Sequence, residues 1–215
     1  MRPTHHLRIL LAVVAVSAVA LLAAGGCEID FGTNGDSPAS EQATLSGTVT
    51  SVTPDRNLDG IRIEVTDPTS GIIFSDITDT NGTFSIEGDF SGTNIKLEFL
   101  DEASNQIALS SVTVYPGADV DLGSISITNG TVSFDDSIIV TLSGDVKENN
   151  CVGGSGTLVV TDADVDVVVE ISASTLLQRD GDTIDCETIL LGDTVETRGE
   201  LKTGGAIDAF SVDLI

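Results

Sequence analysis

The sharpest set of candidate ligands is Asp55-Arg56-Asn57-Leu58-Asp59-Gly60. Asp55, Asn57 and Asp59 alternate as oxygen ligands do at the start of a calcium loop, and the glycine after them allows the turn. A complete loop of that kind ends on a bidentate carboxylate at its twelfth position. That position is Thr66, and Glu64 falls two residues early. An acidic turn between two strands is the competing reading. Asp162, Asp164 and Asp166 are spaced by two, so on a strand they share one face. Three like charges there need solvent or a cation between them, giving either a solvated face or a weak divalent site.

Cys27, Cys151 and Cys186 are the three cysteines. If Cys27 is set aside, Cys151 and Cys186 form an even pair, which in an exported chain reads as a disulfide. It closes a loop of about 35 residues, for which chain entropy gives roughly 3–4 kcal/mol. Two thiols without histidine are too few for zinc, and the absence of Cys-x-x-Cys argues against redox catalysis. Both histidines, His5 and His6, lie in the first few residues. A chain cut after them has no Ser-His-Asp chemistry, no histidine base and no histidine ligand. There is no Trp, and Tyr115 is the single Tyr, so the aromatic faces that usually stack on sugars are missing. Paired carboxylates remain as a route to glycoside chemistry, but two small modules of short strands leave little room for a deep cleft. A Lys-Asn isopeptide needs a lysine on an early core strand. The first module offers only Lys96, in a mid-module strand on its polar phase.

The amino-terminal stretch decides the compartment. Arg2 and Arg8 precede an apolar run to Ala24 broken only by Ser17, which then ends in Gly25-Gly26-Cys27. That is the layout of a secretory signal. The run approaches the length of a membrane-spanning helix, so an uncleaved anchor is one alternative and an ordinary cleaved signal another. Small residues before a cysteine suit a peptidase and give a helix nothing. Leu21-Leu22-Ala23-Ala24-Gly25-Gly26-Cys27 resembles the lipobox of bacterial lipoproteins, with Ala24 where leucine is more usual. The resemblance implies cleavage before Cys27 (residues 1–26 as signal peptide) and acylation of Cys27. The acyl chains would anchor the chain in the membrane. Glu28, rather than aspartate, implies the outer membrane of a bacterial envelope over the inner. Residues 28–43 are rich in Gly, Ser, Asp, Asn and Thr and read as a flexible tether. Phe31 is the apolar exception there.

Thirty-four acidic residues against nine basic ones give a net charge of −25, and loss of Arg2 and Arg8 makes it about −27. Such a surface repels nucleic acid and anionic lipid. It is otherwise the hydrated surface of a soluble acidic protein.

From Thr44 the apolar residues recur with period two. Leu45 and Val49, Ile61 to Val65, Ile72 to Thr78, Thr83 to Ile86, Ile95 to Leu100, Ile107 to Val114, and Val120 to Ile127 each show one apolar face between Gly, Pro, Asn or Asp. Seven short strands at this spacing predict a β-sandwich over residues 44–127. Leu45-Ser46-Gly47-Thr48-Val49, Leu58-Asp59-Gly60-Ile61-Arg62-Ile63-Glu64-Val65 and Ser75-Asp76-Ile77-Thr78-Asp79-Thr80-Asn81-Gly82-Thr83-Phe84-Ser85-Ile86 occur in an order that resembles carboxypeptidase regulatory-like (transthyretin-like) domains. These are usually non-catalytic modules of secreted and surface proteins. Asn81-Gly82 supplies positive φ for a tight hairpin, and Phe84 enters the core beside it.

A second module is expected over residues 128–215. Val132, Phe134, Ile138, Val140 and Leu142 alternate, residues 144–156 read as a loop holding Cys151, and residues 175–192 as a longer connection holding Cys186. Leu191-Gly192-Asp193-Thr194-Val195, a Gly204-Gly205 turn and a closing Ala209-Phe210-Ser211-Val212 strand resemble a family of OB-like barrels in exported bacterial proteins. A five-strand barrel with a glycine hairpin before its last strand is expected, a second Ig-like sandwich being the alternative. OB-folds often bind nucleic acid, but this chain lacks the charge and aromatics for it.

The expected protein is therefore all-β, an Ig/transthyretin-like sandwich followed by a small OB-like barrel. It is expected to be a non-catalytic envelope lipoprotein without a cofactor, held to the membrane through Cys27 and binding a protein partner. A surface module that binds calcium (Asp55, Asn57, Asp59) or a small ligand is the alternative.

Overall fold

Alternation along the strands is visible in burial. In β1 (Ala43–Thr53) Ala43, Leu45, Gly47 and Val49 face the core, and Thr44, Ser46 and Thr48 between them are partly exposed on the other face. The computed structural model describes residues 42–90, 94–162 and 164–215. The leader, Cys27 and the tether through residue 41 lie outside them. The remaining strands are β2 (Arg62–Thr66), β3 (Ile73–Ile77), β4 (Thr83–Gly88), β5 (Asn94–Leu100), β6 (Gln106–Thr113), β7 (Asp119–Thr128), β8 (Thr131–Phe134), β9 (Ile139–Asn149), β10 (Gly156–Asp162), β11 (Val165–Ile171), β12 (Leu176–Arg179), β13 (Asp182–Thr183), β14 (Thr194–Leu201) and β15 (Ile207–Leu214). The described chain is all-β, relieved by a 3-10 turn at Cys186–Thr188.

The sandwich has two layers. One runs β8-β7-β1-β4, the other β3-β2-β5-β6. β1 and β7 pair in parallel, which joins the first and last strands of the module. Leu45, Phe84, Leu122 and Ile125 from one layer meet Ile63, Val65, Leu97 and Phe99 from the other, all essentially buried. Burying each such side chain contributes about 1.5–3 kcal/mol relative to exposure.

The barrel closes by the circuit β9-β10-β11-β15-β14 and back to β9. All pairs are antiparallel except β11 with β15, and the five strands form a small closed barrel. β15 also carries β12 in parallel beyond the end of β11. Gly144 lets β9 coil tightly, because a Cβ there would lie 2.6 Å from the Thr161 carbonyl oxygen.

The two modules are fused by β9. Its first residues, Ile139–Thr141, pair with β7 of the sandwich on one side and β14 of the barrel on the other. The sandwich core continues into Val140, Leu142, Val167 and Ile207 of the barrel. Tyr115, almost buried between β6 and β7, donates its hydroxyl to the carbonyl of Gly205 in the glycine turn before β15.

Several local expectations shift. Val132 and Phe134 do not continue into β9. β8 folds back on β7 through Asn129-Gly130, and Asp135-Asp136-Ser137 turns the chain before β9 begins. Residues 144–149 belong to β9, so the loop holding Cys151 is shorter than expected. The connection holding Cys186 contains β12 and β13.

Candidate functional site

Asn57 and Asp59 sit in the loop between β1 and β2. The Asn57 side-chain oxygen accepts the Asp59 N–H at 3.2 Å, so it organises its own turn. Arg56 reaches across to the β5–β6 turn, where its Nη1 lies 2.9 Å from Asp101 Oδ2. Asp101 is the hub of that turn. Its Oδ1 accepts the backbone N–H groups of Asn105 at 2.8 Å and Ala103 at 3.0 Å. The Asn105 N–H, then Arg56, hold its carboxyl below the ordinary 3.8.

These two loops enclose a cleft of about 310 Å³ lined by Arg56, Asn57, Asp59, Gly60, Asp101 and Glu102, among others. Asn57 and Asp59 therefore share a cleft, while Asp55 is not on its wall. Asp101 and Glu102 come from a distant turn that spacing could not connect to this one. A guanidinium stands among the oxygens, which opposes a cation. Among the described residues, no three His, Cys, Asp or Glu side chains gather closely enough to hold a metal ion.

The aspartates at residues 162–166 do not share a strand face. Asp162 ends β10, Asp164 adopts positive φ in the hairpin, and Asp166 lies in β11. Asp166 accepts from Lys147 Nζ at 2.6 Å and Thr161 Oγ1 at 2.7 Å. The Lys147 bond first, then that of Thr161, lowers its pKa below 3.8.

The residues that carry the transthyretin-like resemblance do structural work. Asp76 bridges the corner of the sandwich, with Oδ1 accepting the Ile77 N–H and Oδ2 the Ser85 N–H, both at 2.8 Å. Asp79 Oδ1 accepts the N–H groups of Asn81 at 2.8 Å and Thr83 at 2.9 Å. The Thr83 bond first, then that of Asn81, holds its carboxyl below 3.8. Thr78 Oγ1 donates to the Leu58 carbonyl at 2.5 Å and accepts from Ile61 N–H at 2.9 Å. Thr83 and Ser85 lie on β4, an edge strand, so these carboxylates also occupy backbone donors that would otherwise stand open.

Cys151 and Cys186 are joined as a disulfide, with Cα atoms 5.9 Å apart. Asn149 fastens the same corner. Its Nδ2 donates to the carbonyls of Cys186 at 2.9 Å and Ile189 at 2.8 Å, and its Oδ1 accepts Cys151 N–H at 2.9 Å. No sequence signal singled out Asn149, because its partners lie tens of residues away.

No family model matches the sequence, and a comparison with curated proteins finds no match. Among solved structures, a leucine-rich repeat protein from Bacteroides thetaiotaomicron aligns with 82% of this chain at 12% identity and a TM-score of 0.25. The chain spans 24% of that protein's length.

Proposed function

We propose that this protein is a non-catalytic lipoprotein of a bacterial envelope, acylated on Cys27 and serving as a structural or protein-binding module. The observation that carries the reading is the leader ending in Ala24-Gly25-Gly26-Cys27. The acyl chains supply the membrane attachment that an acidic surface cannot obtain from anionic lipid. A non-catalytic role is supported by how the carboxylates are used. Asp76, Asp79 and Asp101 each hold backbone N–H groups of turns. A protein-binding role is supported by Ile73 and Ile77, both more than half exposed on the edge strand β3. Membrane fractionation tests the anchor. The wild-type protein is expected in the membrane fraction and Cys27→Ala in the soluble one. A Cys27→Ala protein that stays in the membrane fraction overturns it.

The second reading is a calcium or small-ligand module. It is favoured by the single cleft that Asn57 and Asp59 share with Asp101 and Glu102. Under the first reading, calcium leaves the melting temperature of Asp59→Asn and wild type equally unmoved. A rise confined to the wild type would select the second.

A further inference from the structure

The sheet that runs from barrel to sandwich carries a polar row across five strands. Register places Arg198 of β14 beside Thr141 of β9, Thr141 beside Asp119 of β7, Asp119 beside Thr44 of β1, and Thr44 beside Glu87 of β4. Side chains at neighbouring register positions point to the same face of a sheet. Over this row lies a groove of about 460 Å³, lined by Arg198, Thr141, Asp119, Thr44, Ser46 and Asp121, among others. It exists only because β9 joins the modules, and such junctions are where ligand sites recur.

Of its charges, Asp121 accepts the Gly123 N–H at 2.9 Å, whereas Arg198 and Asp119 are unspent. Among the described residues, Arg56, Arg62, Lys96, Lys147, Arg179 and Lys202 each sit in an ion pair. Arg198 alone among the described cations has no carboxylate within ion-pair distance and no side-chain hydrogen bond. Asp119, exposed in the same groove, likewise engages none of the described residues through its carboxylate. Acidic residues greatly outnumber basic ones, so an unpaired arginine so near an unpaired aspartate is unexpected. The two strands stand two interstrand steps apart, about 10 Å. An extended tripeptide spans about 10 Å as well.

We infer that this groove binds a short unblocked peptide, its carboxylate on Arg198 and its ammonium on Asp119, with the Thr141 hydroxyl beneath its backbone. Charge-assisted bonds at both ends would fix polarity and length. The site does not depend on acylation, so its failure leaves the envelope reading intact, and the reverse.

The test is calorimetric titration of the detergent-solubilised full chain with trialanine, N-acetyl-trialanine and trialaninamide. Saturable binding of trialanine is expected, weakened roughly tenfold by either cap. Arg198→Gln should abolish the preference for the free carboxylate, and Asp119→Asn the preference for the free amine. Both residues are exposed, and the capped peptides test the site on the wild-type chain regardless of how the variants fold. No saturable binding at millimolar trialanine, or equal binding of all three peptides, overturns the inference.

Discussion

Single side chains in this protein mostly hold turns together. Asp79 shows how far that is measurable. Its carboxyl is held below 3.8 by the Thr83 and Asn81 N–H groups. A depressed folded pKa contributes stability that is fully present above the unfolded value and lost as pH falls through the folded one. Urea midpoints should therefore decline below about pH 4. Asp79→Asn should be less stable at neutral pH and lose less on acidification, and parallel acid limbs in the two proteins would contradict this. Thr197 is the opposite case. It is fully buried in β14, and among the described residues its hydroxyl has no hydrogen-bond partner. Thr197→Val removes an unpaired polar atom at nearly constant shape, so it should stabilise the protein by about 1 kcal/mol in urea unfolding. A loss of that size would mean the hydroxyl is engaged. Gly82 is readable from sequence because positive φ leaves a glycine signature, but its turn carries the chain from β3 in one layer to β4 in the other and does not close the expected hairpin. The bonds made by Asp76, Asn149 and Thr78 are not readable, because a hydrogen bond to a distant backbone leaves no spacing to read.

Among the elements, strand positions were legible and strand partners were not. Period-two burial marks β4, β5 and β11 directly. The break between β8 and β9 was hidden because Val132, Phe134, Ile138 and Val140 keep an apolar rhythm across a turn. The two charged residues, Asp135 and Asp136, are the signal that outweighs it. Gly82 is the tightest point of the sandwich corner. It has φ +80°, and a Cβ there would collide with the carbonyl oxygen of Val49. Gly82→Ala should cost roughly 2–4 kcal/mol, seen as a lower melting temperature with the β-sheet circular dichroism retained at low temperature. At the barrel's far end, the disulfide closes a 35-residue separation. Reduction should lower stability by roughly 3–4 kcal/mol, and an unchanged urea midpoint in reductant would contradict that. The candidate cleft was half legible. Asn57 and Asp59 stood out by spacing, whereas Asp101 reaches it only through the pairing of β5 with β2.

At the scale of the whole molecule, sandwich and barrel form one body. β7 pairs with β9, the core is continuous, and Tyr115 bonds to the barrel at Gly205. No local pattern encodes that junction, since every contact in it is long-range. Tyr115 is the only tyrosine in a chain without tryptophan, so it reports on the junction alone. Burial raises its pKa above 10.0. A raised folded pKa gives stability that is complete below the unfolded value and lost as pH rises through the folded one. Tyrosinate absorbance should therefore appear at higher pH in the native protein than in urea. Tyrosine fluorescence and circular dichroism should also follow one unfolding transition. Separate transitions would mean the modules unfold independently.

Under the proposed function, Cys27 is what fixes this body in the cell. The most direct measurement is the intact mass of the membrane-extracted protein, alongside Cys27→Ala. Acylation at Cys27 predicts a chain that begins at Cys27 with the added mass of acyl chains, and loss of that mass in the variant. A chain cut elsewhere, or one beginning at Cys27 without acyl mass, would contradict the anchor and make this a soluble exported protein with an odd thiol.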